Sequence, residues 1–239
     1  SRGLGDVYKR QPQNTQVLRL LQRLQLERGD WSALIRLMPD LRKNKVLPAT
    51  ELATLERRAW GQNLSLAQTR GEDAQTARQA LERAWQQLTS AQRQEPQLVL
   101  AYAEQLRQLG AQGEAEQVLR TALKRNYESH LARLYGLVRG EDPAQQLQTA
   151  EAWLKDHPQD ASLLLTLGRL SLQNRLWGKA RDYLESSLRM ERNPEACAEL
   201  ARLLAGLGET ERSNQLFQEG LGLLDERLLA LPLPETVRA

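Results

Sequence analysis

The feature that most constrains the fold of this chain is a spacing of small and bulky residues that recurs between residues 103 and 220. In each copy a small residue is followed twelve positions later by a second small residue. A bulky residue comes four positions after that, and another small residue three positions further on. The copies are Ala103, Ala115, Leu119 and Ala122; Gly168, Ala180, Leu184 and Ser187; and Ala201, Ser213, Phe217 and Gly220.

The three copies are offset by 65 and then 33 residues, which is two periods and one period. A period of about 34 residues is typical of tetratricopeptide repeats, each a pair of antiparallel helices. Gly110, Arg175 and Gly208 fall where the chain turns between the two helices. Since one pair cannot bury its apolar faces alone, the pairs must stack. The pattern predicts an all-α, right-handed tetratricopeptide-like α-solenoid.

The repeats outside these copies are degraded. The first keeps the turn Gly29-Asp30-Trp31, with leucines on both sides. Residues 52–63 and 73–89 are expected to form two longer helices, separated by the stretches GQNLS and RGED. The sequence around Asp142 and Pro143 predicts a helix start, because Asp is favoured at the N-cap and Pro at the first helical position. His157-Pro158 is expected to close that helix.

These patterns divide the chain into three parts. Residues 1–11, SRGLGDVYKRQ, have no apolar period and end like translated sequencing-adaptor read-through, so they are interpreted as a non-native segment. Residues 12–230 form the predicted repeat domain. Residues 231–239 are expected to be a disordered tail.

Composition agrees with a helical protein and narrows the function. Leu, Ala, Gln, Glu and Arg dominate, and Phe occurs once, so strand formers are scarce. The single Cys197 rules out an intramolecular disulfide and favours a reducing compartment. No apolar run approaches the roughly 18 residues that span a bilayer, so the fragment is expected to be soluble.

The net charge does not indicate a nucleic-acid partner. The formal charge of the chain is +3, of which residues 1–11 contribute +2. No basic run is interleaved with aromatic residues, as a surface that follows phosphates normally requires. We therefore expect protein partners and no nucleic acid.

The order of the degenerate repeats resembles the HemY family of proteobacterial protoheme IX biogenesis proteins. The resemblance covers residues 14–229. It rests on the opening VLRLLQRLQLERGDWSALIRLMPDLRK, the helix ERRAW, the segment ERAWQQLTSAQRQEPQLVLAYAEQL and the closing LLLTLGRLSLQNRLWGKARDYLESSLRM. The individual motifs are common to tetratricopeptide repeats, and their order carries the resemblance.

The resemblance implies an inner-membrane protein in which two N-terminal transmembrane helices precede a cytoplasmic repeat domain. It also implies a link to a late step of haem synthesis. On this interpretation the chain would be a non-catalytic scaffold that binds late haem-biosynthesis enzymes at the cytoplasmic face of the inner membrane. The membrane segment would lie upstream of the present sequence.

Few residues point to catalysis or to a bound cofactor. No nucleotide-binding, metalloprotease or serine-hydrolase motif is present. His130 could ligate haem iron, although a polar residue at a helix start is the simpler and favoured explanation. His157 is expected to face solvent, and Cys197 to be buried as a small apolar residue. We therefore predict that the chain is not an enzyme and has no cofactor, with haem as the open alternative.

The five tryptophans are expected to be mainly structural. Trp31 and Trp177 occupy the same repeat slot after the turn, so helix packing explains both. Trp60, Trp85 and Trp153 are less constrained, and could either fill the core or line a ligand surface.

The first helix of each pair lines the concave surface in tetratricopeptide arrays, so its polar residues are candidates for partner binding. Arginine binds carboxylates through two parallel hydrogen bonds, whereas a solvated helix surface is the simpler explanation for each one. The candidate groove consists of Arg23, Glu104, Arg107, Arg169 and Arg202.

Three functions remain open from the sequence. The first is the haem-biosynthesis scaffold. The second is a haem or porphyrin carrier or regulator that uses His130 or the groove arginines. The third is a tetratricopeptide adaptor of another family.

Overall fold

The computed structural model describes residues 12–70 and 73–229, and in those ranges the chain is helical throughout, with no strand. Three short 3-10 segments, Ala67–Arg70, Gln92–Gln94 and Glu226–Leu229, join or follow the α-helices. The α-helices are α1 (Pro12–Arg28), α2 (Trp31–Lys43), α3 (Ala49–Ser65), α4 (Ala74–Gln86), α5 (Pro96–Gln108), α6 (Gln112–Arg125), α7 (Ser129–Tyr135), α8 (Pro143–Leu154), α9 (Ala161–Gln173), α10 (Trp177–Met190), α11 (Pro194–Gly206) and α12 (Thr210–Leu224).

The chain divides into two compact units, Ser1–Ala111 and Gln112–Ala239. The predicted non-native segment 1–11 and the predicted tail 231–239 lie outside the described residues. The all-α, tetratricopeptide-like class is confirmed, and the described part of each unit is built from α-helices joined by short connections.

Unit 1 is organised around α2, which is packed between α1 and α3. Asp30 caps α2 by accepting a hydrogen bond from the backbone N–H of Ala33 at 3.0 Å, the interaction expected of an N-cap aspartate. The apolar face of α2 then closes a core with the start of α3. Its buried members are Leu34, Met38, Leu41, Val46, Leu52, Leu55 and Ala59.

The two helices predicted at 52–63 and 73–89 form with different ends. Helix α3 continues through the GQNLS stretch to Ser65, so the predicted break there is wrong. Helix α4 starts after Asp73, which forms a capping box with Thr76. It ends at Gln86, because Thr89 and Gln92 exchange side chain-to-backbone hydrogen bonds that begin the next 3-10 segment.

Unit 2 shows why the repeat columns need small residues. A Cβ atom added at Gly168 on α9 would lie 2.6 Å from Leu184 Cδ2 on α10, closer than real Cβ contacts allow. Ala180 and Leu184 are fully buried in the core between these helices and α11. In the same columns the hydroxyl groups of Ser187 and Ser213 donate to the carbonyl oxygens of Ala161 and Ala201, at 2.8 and 2.6 Å. The paired helices therefore approach through residues that have no bulky side chain.

Four turns between consecutive helices share one backbone conformation. Gly29, Gly110 and Gly208 have φ of 65°, 82° and 85°, in the left-handed region that glycine adopts freely. Arg175 occupies the same repeat position with φ of 58°, although it is not glycine. What these turns share is thus their backbone conformation, and one turn in unit 2 adopts it with an arginine.

Helix α8 begins as the sequence predicts. Asp142 accepts a hydrogen bond from the backbone N–H of Gln145 at 3.1 Å, and Pro143 is the first helical residue. Helix α7 before it has only seven residues. Just after its end, Gly136 lies against α9: a Cβ there would be 2.8 Å from Thr166 Oγ1 and 2.9 Å from its Cα.

The prediction that His157 faces solvent is wrong. Its ring is partly buried and stacks on Tyr127, with 3.7 Å between the ring centroids. Tyr127 is fixed in turn by donating to Asp160 Oδ2 at 2.5 Å. Burial, followed by the hydrogen bond and charge of Asp160, raises the pKa of Tyr127. Since Trp153 packs edge-on against both Tyr127 and Tyr135, these rings form an aromatic cluster at the end of α8.

Two other aromatic and sulfur positions are structural. Trp85 stacks on Tyr102 in unit 1, with centroids 4.2 Å apart and planes 2° from parallel. Cys197 is fully buried in the unit 2 core, as predicted, and burial raises the pKa of its thiol. A low-pKa reactive thiolate is therefore not formed at this position.

Candidate partner-binding surface

The groove residues predicted in unit 1 are largely engaged with each other. Arg107 binds Glu104 on the preceding turn of α5 through two hydrogen bonds, Nη2 to Oε1 at 2.7 Å and Nε to Oε2 at 2.9 Å. The hydrogen bond from Arg107 lowers the pKa of Glu104. Arg23 is exposed on α1 and is bonded to neither of them. The fork of Arg107 is thus already occupied by a carboxylate.

The groove residues predicted in unit 2 belong to a larger set of charges, which we call the charge ladder: Arg133, Glu195, Arg169, Glu199 and Arg202. Arg133 donates from Nε to Glu195 Oε2 at 3.2 Å. Arg169 Nη1 lies 3.1 Å from that same Oε2, and its Nε lies 4.0 Å from Glu199 Oε1. Arg202 donates to the same Glu199 oxygen. Each glutamate therefore serves two arginines.

The helices position the ladder by simple spacing. Glu195, Glu199 and Arg202 lie on one face of α11, since they are separated by four and three residues. Arg133 comes from α7 and Arg169 from α9, so the ladder joins three helices. Sequence reasoning found Arg169 and Arg202 but missed Arg133 and both glutamates. The spacing of Glu195, Glu199 and Arg202 was the available signal.

The arginines of the ladder differ in exposure, and this separates their roles. The side chain of Arg169 is only 12% exposed, whereas that of Arg202 is 67% exposed. Arg169 is therefore an internal cross-link between helices. Arg202 binds Glu199 through Nη2 and keeps further N–H donors of its guanidinium group for a partner.

The environment of Glu195 favours the ionised form of its carboxylate. Burial alone would raise the pKa of Glu195. The hydrogen bond from Arg133 and the charges of Arg169 and Arg133 together outweigh burial, so that this pKa is lowered. The glutamate therefore stays ionised at neutral pH and holds both arginines in place.

An open pocket of about 450 Å³ adjoins the exposed end of the ladder. It is lined by Leu172, Trp177, Glu199, Arg202, Leu203, Gly206 and Leu207. The prediction that packing explains Trp177 is wrong, because this residue is 45% exposed, and Leu207 beside it in the lining is 47% exposed. Trp31, in the equivalent slot of unit 1, instead packs against the unit 1 core. Sequence position alone could not distinguish them.

His130, the candidate haem ligand, lies at the start of α7 with 79% of its side chain exposed. Its Nδ1 is 2.9 Å from Oε1 of Glu128, whose other oxygen caps the helix at the N–H of Leu131. This exposure offers a bound porphyrin little protein surface. Ligation of haem iron by His130 stays a prediction.

Two further properties concern the described ranges 12–70 and 73–229. Neither of those ranges contains a group of three or more His, Cys, Asp or Glu side chains placed to hold a metal ion. Among the helices of the same residues, none combines the length and the apolar character needed to cross a membrane.

The fold and this surface define a tetratricopeptide-like helix-pair protein. No family model matches the chain. The chain is 24% identical to Protein HemY of Escherichia coli (strain K12) over 221 residues, and equally to Protein HemY of Shigella flexneri. The similarity spans 92% of this chain and 54% of the relatives, so the chain spans about half the length of the curated relatives it matches.

Among solved structures, MamA 41-end from Desulfovibrio magneticus RS-1 aligns with 72% of this chain and 97% of its own, at 15% identity and a TM-score of 0.44. MamA MSR-1 C2 aligns with 72% of this chain and 98% of its own, at 14% identity and a TM-score of 0.43.

Proposed function

We propose that this chain is the repeat domain of a HemY-like scaffold, which binds enzymes of the late steps of protoheme IX synthesis at the cytoplasmic face of the inner membrane. The distant similarity to HemY over 92% of the chain is the observation that carries the proposal. The helix-pair fold supports a binding role, because stacked pairs present extended surfaces to partners.

The charge ladder and its neighbouring pocket are the part of this surface best suited to a partner. Arg202 and Arg23 are the exposed members of the predicted groove. Arg169, Glu104 and Arg107 are paired with their neighbours and hold the surface in shape. We propose that Arg202 makes the contact and that Arg169 positions it through Glu199. No residue of the surface acts as a catalyst in this proposal.

The experiment is a binding assay of the immobilised chain against the purified enzymes of the last steps of protoheme synthesis. We expect one of them to bind reversibly, and Arg202→Gln to weaken that binding about tenfold, the loss expected from one charge-assisted contact. Arg189→Gln on α10 is the matched control, because Arg189 donates to Ser186 on its own helix and, among the described residues, has no ion pair with the ladder. Binding by none of these enzymes would refute the scaffold role.

A haemin titration of the same protein separates the carrier function from the scaffold. A saturable shift of the Soret band that His130→Ala abolishes would replace the scaffold proposal with haem binding. We expect no such saturable shift, because His130 is exposed and hydrogen-bonded to Glu128.

A further inference from the structure

We propose that the pocket beside Trp177 docks a partner segment that carries one bulky apolar side chain next to an acidic residue. The inference rests on the proposed function in requiring a protein partner, and it names the chemistry of the segment that would bind. Three observations support it: exposed apolar side chains line the pocket, a glycine with free space beside it lies in the same lining, and the neighbouring charge ladder has a net positive charge.

The pocket is lined by large apolar side chains of a kind that a folded protein normally buries. Trp177 at the start of α10 and Leu207 just after α11 are nearly half exposed, and both line the same pocket with Leu172 and Leu203. A volume of about 450 Å³ lies within the range of about 300–1,000 Å³ typical of ligand pockets. Tryptophan is one of the residue types that are enriched among binding hot spots.

Gly206 lies in the pocket lining beside these side chains. A Cβ added there meets no atom within 4 Å, whereas Gly168 and Gly136 have no room for one. Gly206 is also helical, as the last residue of α11, and its φ is not in the left-handed region. Neither close packing nor backbone conformation requires glycine here, and a longer side chain at this lining position would take up part of the pocket.

The net positive charge of the ladder, next to the pocket, favours an acidic partner. The ladder contains three guanidinium groups and two carboxylates, and Glu195 and Glu199 are each bound by two arginines. The excess positive charge is most accessible at Arg202, which lines the pocket. A basic segment would find both carboxylates occupied, whereas an acidic one can bind the free N–H groups of Arg202.

The probes that test this proposal are fluorescein-labelled octapeptides of Gly and Ser that carry one Leu or Trp and one Glu at varied spacing. Matched peptides replace Glu by Gln or Lys, or the apolar residue by Ala. By fluorescence anisotropy we expect the apolar–acidic peptides to bind roughly tenfold more tightly than their Gln counterparts, the contribution of one charge-assisted contact. The Lys and Ala counterparts should bind more weakly still.

Gly206→Leu adds a side chain at a lining position where a Cβ meets no atom within 4 Å. It should reduce peptide affinity at least about tenfold, and because leucine favours helix more than glycine does, the melting temperature should stay unchanged or rise. Trp177→Ala should cause a similar loss. Arg202→Gln should remove only the preference for Glu over Gln. Met190→Ala is the control on the same helix, since Met190 is equally exposed but outside the pocket, and it should bind as the unmodified chain does.

Several results would overturn the inference. They are equal binding of the Glu, Gln and Lys peptides, binding by no peptide, and unchanged binding by a folded Gly206→Leu variant. A gain in peptide affinity after removal of residues 230–239 would assign the pocket to the chain's own tail, and would also overturn it. If the enzymes of late protoheme synthesis bind the Gly206→Leu variant normally, the pocket is not the docking site, and the proposed scaffold role is unaffected. If the peptides bind but no haem enzyme does, only the scaffold role fails.

Discussion

The pairs α1–α2 and α9–α10 follow the same repeat frame but pack by different means. Both have a left-handed turn residue and a tryptophan two positions later. In α9–α10 the four repeat columns hold Gly168, Ala180, Leu184 and Ser187. In α1–α2 the same columns hold Gln22, Leu34, Met38 and Leu41. Only the first set has the small residues that bring two helices into close contact.

This difference shows which parts of the repeat depend on each other. Bulky Leu34, Met38 and Leu41 pack into a core shared with α3, and α3 also supplies Arg58, whose guanidinium carbon lies 5.3 Å from the centroid of the Trp31 ring. Trp177 has Gly206 in its surroundings instead, and it stays exposed. The turn is thus independent of the packing, whereas exposure of the tryptophan depends on the following helix.

The largest effect on stability should come from adding a methyl group at the close contact between α9 and α10. Gly168→Ala places a methyl group 2.6 Å from Leu184 Cδ2, so we expect overpacking to lower the free energy of unfolding by about 1–3 kcal/mol. Gln22→Ala, at the same column of α1, should change it by less than about 0.5 kcal/mol. Urea denaturation measures both.

The matched control for this substitution is Gly178→Ala on α10, where an added Cβ meets no atom within 4 Å. Equal free energies of unfolding for Gly168→Ala and Gly178→Ala would show that the close contact does not limit α9–α10.

The shared turn should respond alike in both units. Gly29→Ala and Gly208→Ala should each cost about 1–2 kcal/mol, because an alanine in the left-handed region is strained. Gly206→Ala, two residues before Gly208, should have the opposite sign and gain up to about 1 kcal/mol, since Gly206 is helical. Thermal melts of the three variants compare these signs directly. A stabilised Gly208→Ala would contradict the common turn geometry.

Arg175 provides the reverse test of the turn. Arg175→Gly should relieve the left-handed strain at φ of 58° and gain less than about 1 kcal/mol, because glycine's larger unfolded-state entropy offsets part of the relief. Arg189→Gly, inside α10, should instead lose about 1 kcal/mol. Differential scanning calorimetry can resolve the two directions. A loss with Arg175→Gly would mean that its side chain stabilises the turn.

The smallest expected effect is the pH dependence of the charge ladder. The pKa of Glu195 is lowered in the folded chain, so its contribution is complete above the ordinary glutamate pKa of 4.5 and is lost as the pH falls through the lowered value. Glu195→Gln should therefore be less stable than the unmodified chain at pH 7, by about 0.2–1 kcal/mol as for partly exposed ion pairs. The difference should vanish at acid pH, once Glu195 is protonated in the folded chain as well. A constant difference would exclude the ion pairs as its cause.

Much of the fold could be predicted because periodicity and turn chemistry are local. The three copies of the column pattern, the cap at Asp142 and the burial of Cys197 all follow from sequence spacing. The end at Gln86 was missed because side-chain hydrogen bonds such as those of Thr89 compete with continued helix in ways that periodicity does not record. The opposite miss occurred at GQNLS, where Gly61 and Asn63 indicated a break but the helix continues to Ser65.

The candidate surface was harder to predict because it depends on contacts between helices. Repeat position identified Arg169 and Arg202 but not that Glu195 and Glu199 bind them. It also assigned Trp177 to packing, since nothing local shows that α11 brings a glycine to that point. His157 was misplaced for a similar reason, because its stacking partner Tyr127 lies 30 residues earlier in the chain.

Because Cys197 is buried, the rate at which its thiol is labelled can report local opening of the fold around it. It is the only thiol in the sequence, it is fully buried in the core beside Gly220, and its raised pKa keeps it protonated. An alkylating reagent can reach it only when α11 and α12 separate, so the labelling rate measures the free energy of that opening. Since Cys197 itself should be labelled very little in the folded chain, one cysteine introduced at an exposed position can carry a dye or cross-linker almost selectively.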